Sequence, residues 1–150
     1  MKVLMVCLGN ICRSPLAEGI LQKKASDKQM DAVVDSAGTA AYHTGESPDI
    51  RSQEVAKKHG IDISGQRARQ FQVSDFDEFD RIFAMDQHNF NDITALARTR
   101  EDLNKVQLIR DMTSPGQRLG VPDPYYGGRD GFQKVYNMLD ACCEAILEDI

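Results

Sequence analysis

The stretch Val3-Leu4-Met5-Val6-Cys7-Leu8-Gly9-Asn10-Ile11-Cys12-Arg13-Ser14-Pro15-Leu16-Ala17 decides the fold. Val3 to Val6 is an unbroken apolar run of strand length, the pattern of a central strand covered on both faces, and it ends at Cys7. Ser14 followed by Pro15 reads as a helix start, with Ser as N-cap and Pro at the first helical position. Leu16, Ala17, Ile20 and Leu21 then supply an apolar stripe. The chain therefore opens as strand, tight loop and helix.

Outward from there the alternation repeats. Ala32 to Ser36, with Val33 and Val34, reads as a second strand, and Ser47-Pro48 repeats the cap-and-proline device before a helix that ends at Lys57-Lys58-His59-Gly60. Asp80 to Met85 reads as a third strand, residues 87–98 as a polar helix and Val106 to Ile109 as a fourth strand. Phe132, Val135, Leu139, Cys142 and Ile146 share one face of a long terminal helix. Strand-helix alternation predicts one α/β domain over residues 1–150 with a parallel sheet. Asp111 to Arg129 shows no regular pattern, and a structureless segment of that length tends to be functional.

Composition excludes several classes. The 150 residues are 41% hydrophobic and 27% charged, an ordinary globular balance. The net charge of −5 gives no broad positive field for nucleic acid or anionic lipid, so any phosphate site must be local. No run approaches the roughly 18 apolar residues of a membrane span, and the N-terminus lacks a signal-peptide pattern, so a cytoplasmic location is expected. Cys7, Cys12, Cys142 and Cys143 lack the spacing of a secreted disulfide framework, and His43, His59 and His88 show no metal-ligand spacing with them. Neither a metal nor a cofactor is expected.

The segment Leu8, Gly9, Asn10, Ile11, Cys12, Arg13, Ser14 lies where the first strand meets the first helix, the place where open α/β sheets bind ligands. A helix N-terminus offers unpaired N–H groups and about half a positive charge, Gly9 relaxes the backbone, and Arg13 can clamp two oxygens of a phosphate. Together they make an oxyanion cradle, and the same field favours the thiolate of Cys7, a nucleophile. The loop lacks both the Lys-Ser/Thr ending of a Walker sequence and the repeated glycines of a dinucleotide loop.

Cys, five residues, then Arg and Ser is the signature of protein tyrosine phosphatases, and Val6-Cys7-Leu8-Gly9-Asn10-Ile11-Cys12-Arg13-Ser14-Pro15 resembles the low-molecular-weight class. Asp35-Ser36-Ala37-Gly38-Thr39, Ser47-Pro48-Asp49, Phe83-Ala84-Met85-Asp86 and Asp123-Pro124-Tyr125-Tyr126-Gly127 resemble that family's other landmarks, in order. The resemblance implies a doubly wound, flavodoxin-like sheet of four parallel strands with helices on both faces. It also implies hydrolysis of phosphotyrosine through a phosphocysteine formed on Cys7. Among 23 acidic residues chemistry alone selects no general acid; the resemblance, and a position between two prolines, select Asp123. Tyr42, Tyr125 and Tyr126 would line the substrate cleft. Asn10 would hold the loop through Ser36, and Asp86 would support Arg13 or cap the following helix. The resemblance further implies a reversible Cys7–Cys12 disulfide, whereas Cys142 and Cys143 read as core.

Phosphotyrosine proteins and free oxyanions are the partners implied, in a monomer or weak dimer. Two alternatives share the fold. An arsenate reductase would need downstream resolving cysteines, which residues 80–100 lack. A phosphoarginine phosphatase resembles this chain but typically carries Thr where Ile11 stands, and apolar Ile11 favours an aryl ester. A noncatalytic phosphate-binding or redox-sensing module would keep Arg13 but have no use for Asp123.

Overall fold

β1 (Lys2–Cys7), β2 (Val33–Gly38), β3 (Arg81–Ala84) and β4 (Val106–Leu108) form one parallel sheet in the order β2-β1-β3-β4 in a computed structural model that describes residues 1–150. The helices are α1 (Arg13–Asp27), α2 (Ile50–Lys58), α3 (Asp75–Glu78), α4 (Gln87–Thr94), α5 (Arg100–Lys105) and α6 (Arg129–Asp149), with a 3-10 turn over Ile109–Met112. None is long and apolar enough to cross a membrane.

Period-two alternation along β1 sends its side chains into two cores. Val3, Met5 and Cys7 pack with Leu16, Ile20, Val55 and Leu139, on the side of α1, α2 and α6. Leu4 and Val6 pack with Phe76, Ile82 and Ile93, on the side of α3 and α4. Val3 to Val6 are fully buried, each contributing about 1.5–3 kcal/mol through burial. The stripe on α6 is buried as its spacing predicts, including Cys142 and Cys143, so both cysteines are core residues.

The chain leaves β1 toward β2 on one side and later returns to place β3 on the other. This reversal opens a crevice beyond the carboxyl ends of β1 and β3. Cys7 pairs with Gly38 and lies one residue past the Val6–Ala84 pair, so its side chain stands at the crevice floor. A Cβ on Gly38 would lie 2.7 Å from the Leu8 carbonyl oxygen, so only glycine lets the end of β2 pack against the loop after β1.

Several boundaries differ from the sequence reading. α1 begins at Arg13, with Cys12 at the cap position and no side-chain cap, because the Ser14 hydroxyl turns toward the Cys7 sulfur instead. α2 is capped by Asp49, whose carboxylate accepts from the Arg51 N–H, rather than by Ser47. β2 runs on to Gly38, and the polar helix stops at Thr94. Thr99 caps a separate helix, α5, that periodicity did not reveal. The segment 111–129 begins with the 3-10 turn; Val121 donates to the Met85 carbonyl and so ties the rest of it to the end of β3.

Candidate active site

The loop after β1 closes around one sulfur. Cys7 Sγ accepts from the Asn10 N–H at 3.3 Å and lies 3.0 Å from Ser14 Oγ. The turn that brings Asn10 back over the sulfur requires a left-handed backbone, φ 58°, a conformation Asn tolerates better than most residues. The Asn10 amide fixes the polarity of what lies behind. One of its two Nδ2 hydrogens goes to Ser14 Oγ at 2.8 Å and the other to Ser36 Oγ at 3.0 Å. Each hydroxyl accepts from Asn10 and is free to donate elsewhere, Ser14 toward the sulfur. Asn10 Oδ1 accepts from the Arg69 N–H.

Above the sulfur lies a cavity of about 320 Å³ lined by Leu8, Gly9, Ile11, Cys12 and Arg13 on its lower wall. The backbone N–H groups of Leu8, Gly9, Ile11 and Cys12 have no acceptor within the chain. Unpaired donors around a small cavity at a helix N-terminus fit a tetrahedral oxyanion. Asn10 and Ser14, predicted with the other loop residues to bind phosphate, do not line the cavity. They are buried behind the sulfur and hold it in place.

The family model for low molecular weight phosphotyrosine protein phosphatases matches residues 2–150. The chain belongs to that family. The low molecular weight phosphotyrosine protein phosphatase of Schizosaccharomyces pombe is 43% identical over 99% of this chain and 96% of its own. A protein tyrosine phosphatase from Entamoeba histolytica, crystallised with Hepes in its active site, superposes with a TM-score of 0.93. It is 38% identical and covers 99% of this chain and 96% of that one. A drosophila arginine phosphatase superposes at 0.92, with 35% identity over 99% and 97% of the two chains. Membership of a phosphatase family, with Cys142 and Cys143 buried on α6, disfavours the arsenate-reductase alternative.

In this phosphatase-family chain Arg13 is held from three sides. Its guanidinium donates to Asp86 at 2.6 Å and to the Val121 carbonyl at 3.0 Å, and approaches Asp123 at 3.8 Å. Burial works against its charge, yet Cys7, Asp86 and Asp123 outweigh burial and raise its pKa further. Asp86 combines both roles read from the sequence: Oδ1 caps α4 through the Asn89 N–H and Oδ2 takes Arg13. Burial pushes the Cys12 thiol up to about 12, with Asp49 and Cys7 adding to it, so Cys12 stays protonated beside the candidate nucleophile.

The upper wall comes from two distant segments. Tyr42, Tyr125 and Tyr126 line the cavity, Tyr126 almost fully exposed, and Asp123 joins them. The Asp123 carboxylate accepts from the Tyr125 N–H at 3.0 Å, an Asx turn that presents its other oxygen toward Arg13.

Sequence reasoning missed three contributors. His43 lines the same wall and packs over Gly9, where a Cβ would meet its ring at 3.0 Å. Arg51 donates to the carbonyls of Tyr125 and Gly127 and covers the rings of Tyr125 and Phe132, stapling the late loop to α2. Glu18 accepts from the Ser36 hydroxyl at 2.6 Å. The cap geometry of Asp49 two residues before Arg51 was the available local signal for Arg51; Glu18 had one only in standing four residues after Ser14 on the same helix face.

Proposed function

We propose that this chain hydrolyses the phosphate monoester of tyrosine in proteins, and small aryl phosphates, without a metal. The observation that carries the reading is Cys7 Sγ at the floor of a donor-lined cavity whose rim brings Arg13 and Asp123 within 3.8 Å of each other. The Cys7 thiolate attacks phosphorus as the bond from phosphorus to the phenolic oxygen breaks, and the Asp123 carboxyl passes its proton to the departing oxygen. Arg13 and the loop N–H groups hold the three equatorial oxygens. Water, losing a proton to the Asp123 carboxylate, then cleaves the phosphorus–sulfur bond, releasing phosphate and the thiolate. Tyr42, Tyr125 and Tyr126 give a flat ring apolar walls to lie against.

The same sulfur pair supports reversible oxidation. Peroxide takes two electrons from Cys7, leaving a sulfenic acid, and the Cys12 thiol condenses with it, releasing water and forming a disulfide that small thiols reduce.

Turnover of p-nitrophenyl phosphate in the presence of a chelator tests the reading. Wild type is expected to turn over and Cys7→Ser to lose all activity above background; full activity in Cys7→Ser overturns the mechanism. Structural likeness to an arginine phosphatase motivates a second arm, with phosphoarginine and phosphotyrosine peptides compared by kcat/KM. Ile11 lines the cavity, so the tyrosine ester is expected to be preferred, and Ile11→Thr to narrow the preference.

A further inference from the structure

Behind the cavity, a line of side chains runs from the sulfur to Glu18, one turn along α1 from Ser14. Cys7 Sγ meets Ser14 Oγ at 3.0 Å, Ser14 meets the Asn10 amide at 2.8 Å, the amide meets Ser36 Oγ at 3.0 Å, and Ser36 meets Glu18 Oε1 at 2.6 Å. Ser14 and Glu18 are four residues apart on α1 and so face the same way, with Asn10 and Ser36 between them in this line. Because Asn10 donates to both hydroxyls, Ser36 must send its own hydrogen to Glu18, and an ionised carboxylate is the strongest acceptor available for it.

We propose that Glu18 is a positioning residue for the loop around Cys7: its negative charge, acting through Ser36, orients the Asn10 amide, and loss of that charge loosens the loop. Only the kinetic consequence rests on the phosphatase reading. A neutral carboxyl replaces the charge-assisted bond from Ser36 with an ordinary one and can also donate in the reverse direction, which removes the fixed polarity at Asn10.

The surroundings place this change in the physiological range. Burial pushes the Glu18 carboxyl up to about 7; the Ser36 bond opposes that rise, Asp35 on β2 adds to it, and Arg69 on the segment after α2 opposes it. Arg69 is itself shared between Asp35 and Asp75, so its positive charge is not dedicated to Glu18. Lys23 and Asp27 on α1 and Asp62 after α2 line the open groove that Glu18 faces, through which protons reach it from solvent.

The test follows the Asn10 side-chain amide resonances by heteronuclear NMR from pH 5.5 to 8.5 in wild type, Glu18→Gln and Ser36→Ala. Gln copies the neutral carboxyl at every pH. The expected result is a titration of the Asn10 amide near pH 7 in wild type, with a flat response in both variants and Glu18→Gln resting at the wild-type low-pH position. An Asn10 amide that is flat in wild type, or that titrates equally in Glu18→Gln, overturns the proposal. In parallel, kcat/KM for p-nitrophenyl phosphate in wild type and Glu18→Gln is expected to coincide at pH 5.5 and to separate above pH 7, wild type becoming about threefold faster. Parallel profiles overturn the kinetic consequence. No turnover in wild type overturns the phosphatase reading and leaves the amide titration to decide the proposal.

Discussion

The two halves of the cleft are held in opposite ways. Around Cys7 the loop is buried, and Asn10, Arg13 and Ser14, each 3% exposed or less, bond among themselves and to groups from β2, the cap of α4 and the late loop. Around Asp123 the segment from Pro122 to Gly128 is mostly exposed; Arg51, the Asx turn and, at its root, Val121 hold it. The difference matches the chemistry proposed for each half. A nucleophile and its oxyanion donors work when already in place, so rigidity there lowers the barrier. An acid at the mouth must let a protein-borne ring enter and leave, and an exposed loop tied to the rest of the fold by few side chains allows that.

Four substitutions can break or sharpen this contrast. The largest effect is expected at the proposed acid: Asp123→Ala should lower kcat for phenyl phosphate by about 10²–10³-fold, and less for p-nitrophenyl phosphate, whose leaving group needs a proton less. Inhibition by inorganic phosphate should change little, since the donors belong to the other half. Next, Asn10→Ala removes three side-chain hydrogen bonds and puts alanine in a left-handed conformation, an expected loss of about 2–4 kcal/mol by denaturant unfolding.

Glu18→Gln follows, with an effect that depends on pH. The folded carboxyl titrates near 7 against an ordinary 4.5, so the folded state holds the proton more tightly than the unfolded one. Wild-type stability therefore falls as pH rises from 4.5 to 7 and stays reduced above it. The difference between variant and wild type should shift in favour of the variant by on the order of 2 kcal/mol between pH 4.5 and 8. A pH-independent difference removes the buried-charge argument. The smallest effect is expected at the staple: Arg51→Met should cost about tenfold in kcat/KM while moving Tm by no more than about 2 °C. If Arg51→Met destabilises the fold as much as Asn10→Ala does, the two halves are not held differently.

Two of the helix starts that the sequence reading misplaced involve a serine before a proline. Ser14-Pro15 and Ser47-Pro48 both carry the local signature of a helix start, yet neither serine caps its helix. Ser14 gives its hydroxyl to a sulfur seven residues earlier, and Asp49 takes the cap of α2 while its N–H bonds to the Ile11 carbonyl. For Ser14 a partner outside the helix took the hydroxyl; for α2 a local carboxylate two residues further on took the cap.

The amino-acid order alone determined the buried strand of β1, the loop and helix that follow it, the alternation that makes a parallel sheet, and the resemblance that named Cys7, Arg13 and Asp123. These are set by patterns a few residues long: apolar periodicity, turn chemistry and the spacing of one motif. The tertiary structure alone decided that Val121 and Asp86 hold Arg13, that Arg51 carries the loop bearing Asp123, and that Glu18 stands behind Ser36 and Asn10. Most of these bonds join residues from 18 to 108 positions apart, and no local pattern records them, because their partners meet only after the sheet has brought the ends of separate strands to one edge.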